Sequence, residues 1–218
     1  MHLSEEVNGN ESLPNAIADH LRNQIVRGTL LPGSHLGQTQ LAEQYGRSKV
    51  PVREALKRLA TEGFLRHDRN RGYFVAPLDE GEARQLYKLR RWIERDLLES
   101  AAWPDADQVA AFRAMFDRVD AMDKRRDFEA WAAELARLRH AIFDLSPQKT
   151  LLQEATRLWT LTDRYRALLP RDDGGSPERA LIDALEARDR ERLVADYLAG
   201  RARVEEALDQ AFSASRFG

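Results

Sequence analysis

The placing of Gly46, Pro51, Gly63 and Gly72 limits what this chain can fold into more than any other feature. Glycine commonly ends a helix and proline suits the first turn of the next. Thr39 to Tyr45 can therefore hold only a short helix, with Leu41, Ala42 and Tyr45 inward and a stop at Gly46. Ser48 stands where an N-cap is wanted, and Pro51 follows in the first turn. That predicts a second helix from about Val50 to Glu62, with Val52, Ala55, Leu56 and Leu59 as its buried stripe, closed by Gly63. Phe64-Leu65-Arg66 and Tyr73-Phe74-Val75 then bracket His-Asp-Arg-Asn-Arg-Gly, the pattern of a hairpin with a basic tip. Upstream, Ile17, Leu21 and Ile25 recur at helical spacing between Leu13 and Arg27, and Thr29 to Leu36 reads as a short extended piece with a Pro-Gly turn. Helix, short helix, turn, helix and hairpin in that order make a winged helix-turn-helix, whose second helix enters the DNA major groove by its N-terminal end.

The remainder reads as helix throughout. Asp79 with Glu82 resembles a capping box, and Leu86, Leu89, Ile93 and Leu97 follow. Trp103-Pro104 breaks that run. Further helices carry Phe112, Phe116 and Val119, then Trp131, Leu135, Leu138 and Ile142, and, beyond Pro147, Leu151, Ala155, Leu158, Thr162, Tyr165 and Leu169. Residues 171–177 read as a loop, followed by helices over roughly 178–187 and 190–212, the second capped by Asp189. The fold class expected is mainly α: an N-terminal winged helix-turn-helix followed by an all-α antiparallel helical bundle. The expected division is a disordered lead-in over 1–11, a winged helix-turn-helix DNA-binding domain over 12–78 and a helical domain over 79–218.

Charge supports the division. Residues 12–78 hold ten Lys/Arg against five Asp/Glu, and eight of those ten cations fall between Arg47 and Gly72. Residues 79–218 hold 24 against 28. A basic module on a mildly acidic one points to a polyanion partner for the first. The absence of cysteine excludes disulfides, thiolate zinc sites, iron–sulfur clusters and cysteine nucleophiles. No run approaches the ~18 apolar residues of a membrane span. The first residues are acidic and polar, unlike a secretory leader, so no membrane partner and a cytoplasmic location are expected.

Leu41-Ala-Glu-Gln-Tyr-Gly-Arg-Ser-Lys-Val-Pro-Val-Arg-Glu-Ala-Leu-Lys-Arg-Leu59, with Gly63-Phe-Leu, Arg71-Gly-Tyr-Phe-Val75 and the upstream Gly28-Thr-Leu-Leu-Pro-Gly33, resembles the DNA-binding domain of the GntR family of bacterial regulators. Tyr87-Lys-Leu-Arg-Arg-Trp-Ile-Glu94 and Leu181-Ile-Asp-Ala-Leu-Glu-Ala-Arg-Asp189 resemble the ligand-sensing domain of its FadR type, the FCD domain. The resemblance covers residue 13 to about 210. It implies DNA contacts at Thr39, Ser48, Lys49, Arg53, Arg71 and Gly72. Position alone adds Arg47, which lies with Ser48 and Lys49 at the mouth of the second helix, where side chains reach base edges and amides take a phosphate. Lys49 stands where the family usually has Arg and cannot form the bidentate fork to guanine.

Most FCD domains of this type bind a metal through one Asp and three His, the first two as Asp-x-x-x-His on the third helix of the domain. Here His140 matches the first His, while Ala136, Glu178 and Gly200 take the other three positions. With a single histidine in 79–218 no three-imidazole site exists, and no metal or other cofactor is expected. His140 is then either a satisfied histidine on an alanine-rich face or, with Glu178, part of an effector site. Arg90 and Glu94, one turn apart, match the family's Arg and Glu. Either they form an ordinary i,i+4 surface pair, or Arg90 points into the bundle as a clamp for an anionic effector. Trp92, Trp131 and Trp159 are expected in the core.

The expected function is a ligand-responsive transcription regulator, not an enzyme, that binds a palindromic double-stranded operator as a homodimer. Its small-molecule effector is expected to be an organic acid, amino acid or sugar acid. The alternatives are a helical domain that only dimerises, an all-α enzyme fused to a nucleic-acid module, and a winged helix that contacts protein. Against the enzyme, the sequence has no Ser/His/Asp set, metal triad or phosphate-binding glycine loop.

Overall fold

The computed structural model describes residues 12–122, 128–168 and 178–215. The expected lead-in, the 171–177 loop and Leu169 lie outside the described residues. The chain divides into two compact units, Met1–Asp79 with Thr160–Ala167, and Glu80–Trp159 with Leu168–Gly218.

In the first unit, α1 (Ser12–Val26) lays Ile17, Ala18, Leu21 and Ile25 against α3 (Lys49–Thr61), whose Val52, Ala55, Leu56 and Leu59 are fully buried. Strand β1 (His35–Leu36) precedes α2 (Gln38–Tyr45), and β2 (Leu65–Asp68) and β3 (Gly72–Val75) form the wing. The sheet is antiparallel in the order β1-β3-β2, with Leu36 opposite Tyr73 and Asp68 opposite Gly72. The extended piece before α2 is thus the third strand of the wing, anchored by the Gly33 amide donating to the Val75 carbonyl at 2.9 Å. The later segment Thr160–Ala167 belongs here too. Within it, Arg164 donates to the Gly63 carbonyl at 2.9 Å, and the fully buried Tyr165 donates its hydroxyl to the Asp79 carbonyl at 3.2 Å.

The second unit is helical. Its elements are α4 (Glu80–Ser100), α5 (Ala106–Ala121), α6 (Phe128–Phe143), α7 (Lys149–Asp163, whose residues from Thr160 on, with the chain to Ala167, fall in the first unit), α8 (Glu178–Glu186) and α9 (Arg190–Ser215). Its core joins Leu97 and Leu98 of α4, Phe112 and Phe116 of α5, Leu138 and Ile142 of α6, and Leu181, Ile182 and Leu193 from the last two helices. Trp103-Pro104 does interrupt the chain, and Asp105 then starts α5 through a reciprocal capping box with Gln108, at 2.8 and 3.0 Å. Asp189 caps α9 by accepting from the Arg192 amide at 2.9 Å. Among the described residues no helix is long and apolar enough to cross a membrane.

One core expectation is corrected. Trp131 is buried, but Trp92 is 57% exposed. The inward stripe of α4 runs Ala83, Tyr87, Arg90, Glu94, Leu97. Trp92 lies two residues from Arg90, about 200° around the helix, and faces outward under the Lys88 ammonium, 4.9 Å from the ring centroid.

Candidate nucleic-acid interface and buried charge cluster

The turn between α2 and α3 is set by Gly46. Its φ of 61° is left-handed, and the Gly46 and Arg47 amides return to the Glu43 and Ala42 carbonyls, which closes α2 and turns the chain. Arg47, Ser48 and Lys49 follow, all exposed, with Thr39 exposed in the first turn of α2. Ser48 occupies the N-cap of α3 with extended backbone, but its hydroxyl makes no capping bond. Ser48 is thus the expected N-cap by position and backbone but not by side chain, and this exposed residue stands beside the first amides of the helix, the setting in which a phosphate is bound. Arg53 is half-exposed one turn in, with Nε 3.6 Å from Glu54. Beside it Val50 is 59% exposed, although Val52 on the same helix is fully buried. An apolar side chain held open among cations suits a thymine methyl group. Sequence reasoning passed over Val50, though its phase, two residues ahead of the buried Val52, was visible.

The wing turn is held by Asp68, whose Oδ1 accepts from the Asn70 and Arg71 amides at 2.8 and 3.1 Å. The Asn70 amide in particular holds this exposed carboxyl below its usual value. Arg71 is exposed, with its guanidinium 5.2 Å from the Phe74 ring centroid. Gly72 has φ 91°, and a Cβ there would stand 3.2 Å from His35 Nε2 on β1. Strain and close approach act together at this position. Gly72→Ala is expected to cost ~1–3 kcal/mol, read as a lower melting temperature, and to displace the neighbouring Arg71. A melt identical to wild type would show that the wing turn does not need its left-handed residue.

The second unit holds a buried cluster of charge. Arg90 (6% exposed) donates twice to Oε1 of Glu94 (0% exposed), at 3.0 and 2.9 Å. Trp159 of α7 donates its indole N–H to the same oxygen, and Tyr197 of α9 its hydroxyl to Oε2. Burial alone would push the Glu94 carboxyl up; Arg90, with help from Arg201 and the two neutral donors, outweighs it and holds the carboxyl below the usual range. Burial, then the Glu94 charge, push the Tyr197 phenol up, so it stays a donor. The Arg90–Glu94 pair is thus no surface pair. Arg139 of α6 donates to Glu178 of α8 at 2.6 Å, and electrostatics couple this pair to Arg90 and Tyr197. His140, beside Arg139, is exposed with its ring edge-on to Trp159 at 6.5 Å. The structure therefore brings Arg90 and Glu94 together, gives Glu178 to Arg139, and leaves His140 at the surface.

The family model for bacterial regulatory proteins of the gntR family matches residues 13–75, and that of the FCD domain matches 85–196, half of the chain. The chain belongs to the GntR family and carries an FCD domain. The Nta operon transcriptional regulator of Aminobacter aminovorans is 39% identical over 80 residues, a match that spans 37% of this chain and 38% of that protein. The transcriptional repressor GlaR of Escherichia coli (strain K12) is 27% identical over 186 residues, 79% of this chain and 84% of that one. The solved structure of E. coli McbR/YncC shares the fold, with a TM-score of 0.70 at 23% identity over 92% of this chain and 98% of the other. The family is described as one of bacterial regulatory proteins, and the match spans 38% of the length of the Nta operon regulator.

The metal that most FCD domains hold does not fit the donors of this one. Ala136 and Gly200 offer no ligand atom, Glu178 is committed to Arg139, and His140 faces outward. Among the described residues no group of three or more His, Cys, Asp or Glu could hold a metal ion. Arg139, Trp159, Tyr197 and Arg201 were missed as members of this site. For Tyr197 and Arg201 a signal existed, because Arg201 continues the stripe Leu193, Tyr197, Arg201, Leu208, Phe212 along α9. A charge set into an apolar stripe is a buried charge.

Proposed function

We propose that this regulator binds a two-fold operator as a homodimer in the cytoplasm, without enzymatic activity, and that a small molecule in its helical domain modulates DNA affinity. Residues 12–78 form the DNA-binding domain, and 79–218 sense the effector and dimerise. The observation that carries the DNA reading is the outward cluster at the mouth of α3, Arg47, Ser48, Lys49, Val50 and Arg53, in one unit with the Arg71–Gly72 wing. Thr39, Arg47, Ser48 and Lys49 hold phosphates or base edges, Arg53 reads a base, and Arg71 enters the adjacent groove with Gly72 allowing close approach. One α3 touches few base pairs, so operator-level specificity calls for two half-sites and a two-fold protein. The effector reading rests on the polar core built around Arg90, Glu94 and Glu178, with His140 at its outer edge; an organic acid, amino acid or sugar acid is the class expected.

Sedimentation of the free protein and of its complex with DNA from upstream of its own gene tests this reading. A dimer in both states is expected, and affinity should fall linearly on a logarithmic salt scale as condensed counterions are released. A monomer in both states, or affinity indifferent to salt, would sink it.

A further inference from the structure

The outward face of α4 carries more apolar surface than a solvated helix face needs. Trp92 is 57% exposed and Leu89, three residues before it, 41% exposed, while Trp131 of the same unit is buried. The opposite stripe of the helix is taken by the unit's own core. Lys88 reaches over the Trp92 ring, 4.9 Å from its centroid, and Arg95 is tied to Glu99 at 2.6 Å. Lys88 and Asp96 are both exposed, and neither forms an ion pair among the described residues.

At 3.6 residues per turn, Lys88 lies about 40° to one side of Trp92 and Asp96 about 40° to the other, at equal distances along the axis. Such a face is complementary to itself. Turned end for end about Trp92, it sets Lys88 opposite the partner's Asp96, Gln85 opposite the partner's Glu99, and Leu89 opposite the aliphatic stem of the partner's Arg95. Each of these contacts occurs twice. A parallel pairing would instead set Lys88 against Lys88 and Asp96 against Asp96, and like charges face to face oppose association. Exposed apolar patches rimmed by polar residues mark interaction sites, and tryptophan is enriched among the residues that anchor interfaces. We propose that this face of α4 is the seam on which two copies of the chain pair, antiparallel, with Trp92 meeting its own copy at the two-fold axis. The proposal rests on the homodimer reading and deepens it, since that reading names no surface. Asp96 and Glu99 within the face argue against an anionic membrane as its cover, whereas a second copy of the same helix matches both signs.

The chain has no cysteine, so a single introduced thiol reports the seam. In Trp92→Cys the two thiols stand at the axis, where packed helices come within the ~4.4–6.8 Å between Cα atoms that a disulfide needs, and oxidation should link the protomers. In Gln85→Cys, on the same face, the two thiols stand about 21 Å apart along an antiparallel pair and should not link. Sedimentation gives the strength. Trp92→Glu should weaken the dimer on the order of 100-fold, since the anchor is lost from both protomers. Lys88→Asp and Asp96→Lys should each weaken it on the order of tenfold, and the double variant should recover most of that loss. All these positions are exposed, so the circular dichroism of each variant should stay that of wild type. A link through Gln85→Cys but not Trp92→Cys, a Trp92→Glu dimer as tight as wild type, or a double variant no tighter than either single one overturns the proposal. In those cases the wild-type dimer persists, and the homodimer reading stands on another face. A wild type that is monomeric at every concentration removes both. One that then pellets with phosphatidylglycerol vesicles through Trp92 gives the face to a membrane instead.

Discussion

Glu94→Ala is expected to lower stability by ~3–5 kcal/mol, because removing one partner of a buried ion pair leaves the other charge uncompensated. Glu94 is wholly buried and accepts from three side chains, so Arg90, Trp159 and Tyr197 all lose an acceptor together. For a chain of this size that is roughly 6–20 °C in melting temperature. Replacing the pair jointly, Arg90→Met with Glu94→Leu, should restore much of the loss, since apolar groups of similar volume carry no desolvation cost. Acidity acts in the same direction. The folded carboxyl is held below its ordinary value, so its contribution is fully present above about pH 4.3, where an unfolded glutamate is ionised, and is lost as pH falls through the folded value. Glu94→Gln should flatten that acid limb. A melt of Glu94→Ala that overlays wild type would contradict the buried network.

The α4 pair also shows where sequence reasoning stops. An Arg and a Glu four residues apart look the same on a wet face as on a dry one; only the phase of the surrounding apolar residues tells them apart. Ala83, Tyr87 and Leu97 place Arg90 and Glu94 inward and Trp92 outward, and bulk hydrophobicity gave the opposite assignment for the tryptophan. The winged helix-turn-helix was legible because backbone punctuation dictates it. Gly46 needs its left-handed turn, Gly72 stands at a strand end close to His35, and the apolar stripe of α3 has a single phase. The strand His35–Leu36 was readable only as extended, because two residues carry no pairing signal of their own. The Arg139–Glu178 pair was hidden for another reason. Its partners lie 39 residues apart on different helices, and no local pattern encodes that meeting.

The largest functional effect is expected at α3. Arg53 is 52% exposed in its side chain, and its nearest carboxylate, Glu54 at 3.6 Å, is an exposed neighbour that binds it weakly. On the proposed reading it turns to DNA with little to give up. Arg53→Ala should cost ~1–3 kcal/mol in each half-site and relax base preference at one position, and a two-fold complex feels the loss twice. At ~1.4 kcal/mol per tenfold, that is about 30-fold to 10⁴-fold in operator affinity. Arg71→Ala should act differently. An arginine at the wing edge that meets phosphates weakens all sequences alike when removed, and lowers the salt slope by about 1 for each phosphate it no longer neutralises. Val50→Ala should leave the salt slope untouched while narrowing the discrimination between thymine and cytosine at one position, since packing on a methyl group releases no counterion. Anisotropy titrations of the three variants at several salt concentrations, on the operator and on unrelated DNA, separate base reading, phosphate neutralisation and methyl packing. If Arg53→Ala combined with Arg71→Ala binds the operator as tightly as wild type, α3 and the wing are not the surface that meets DNA.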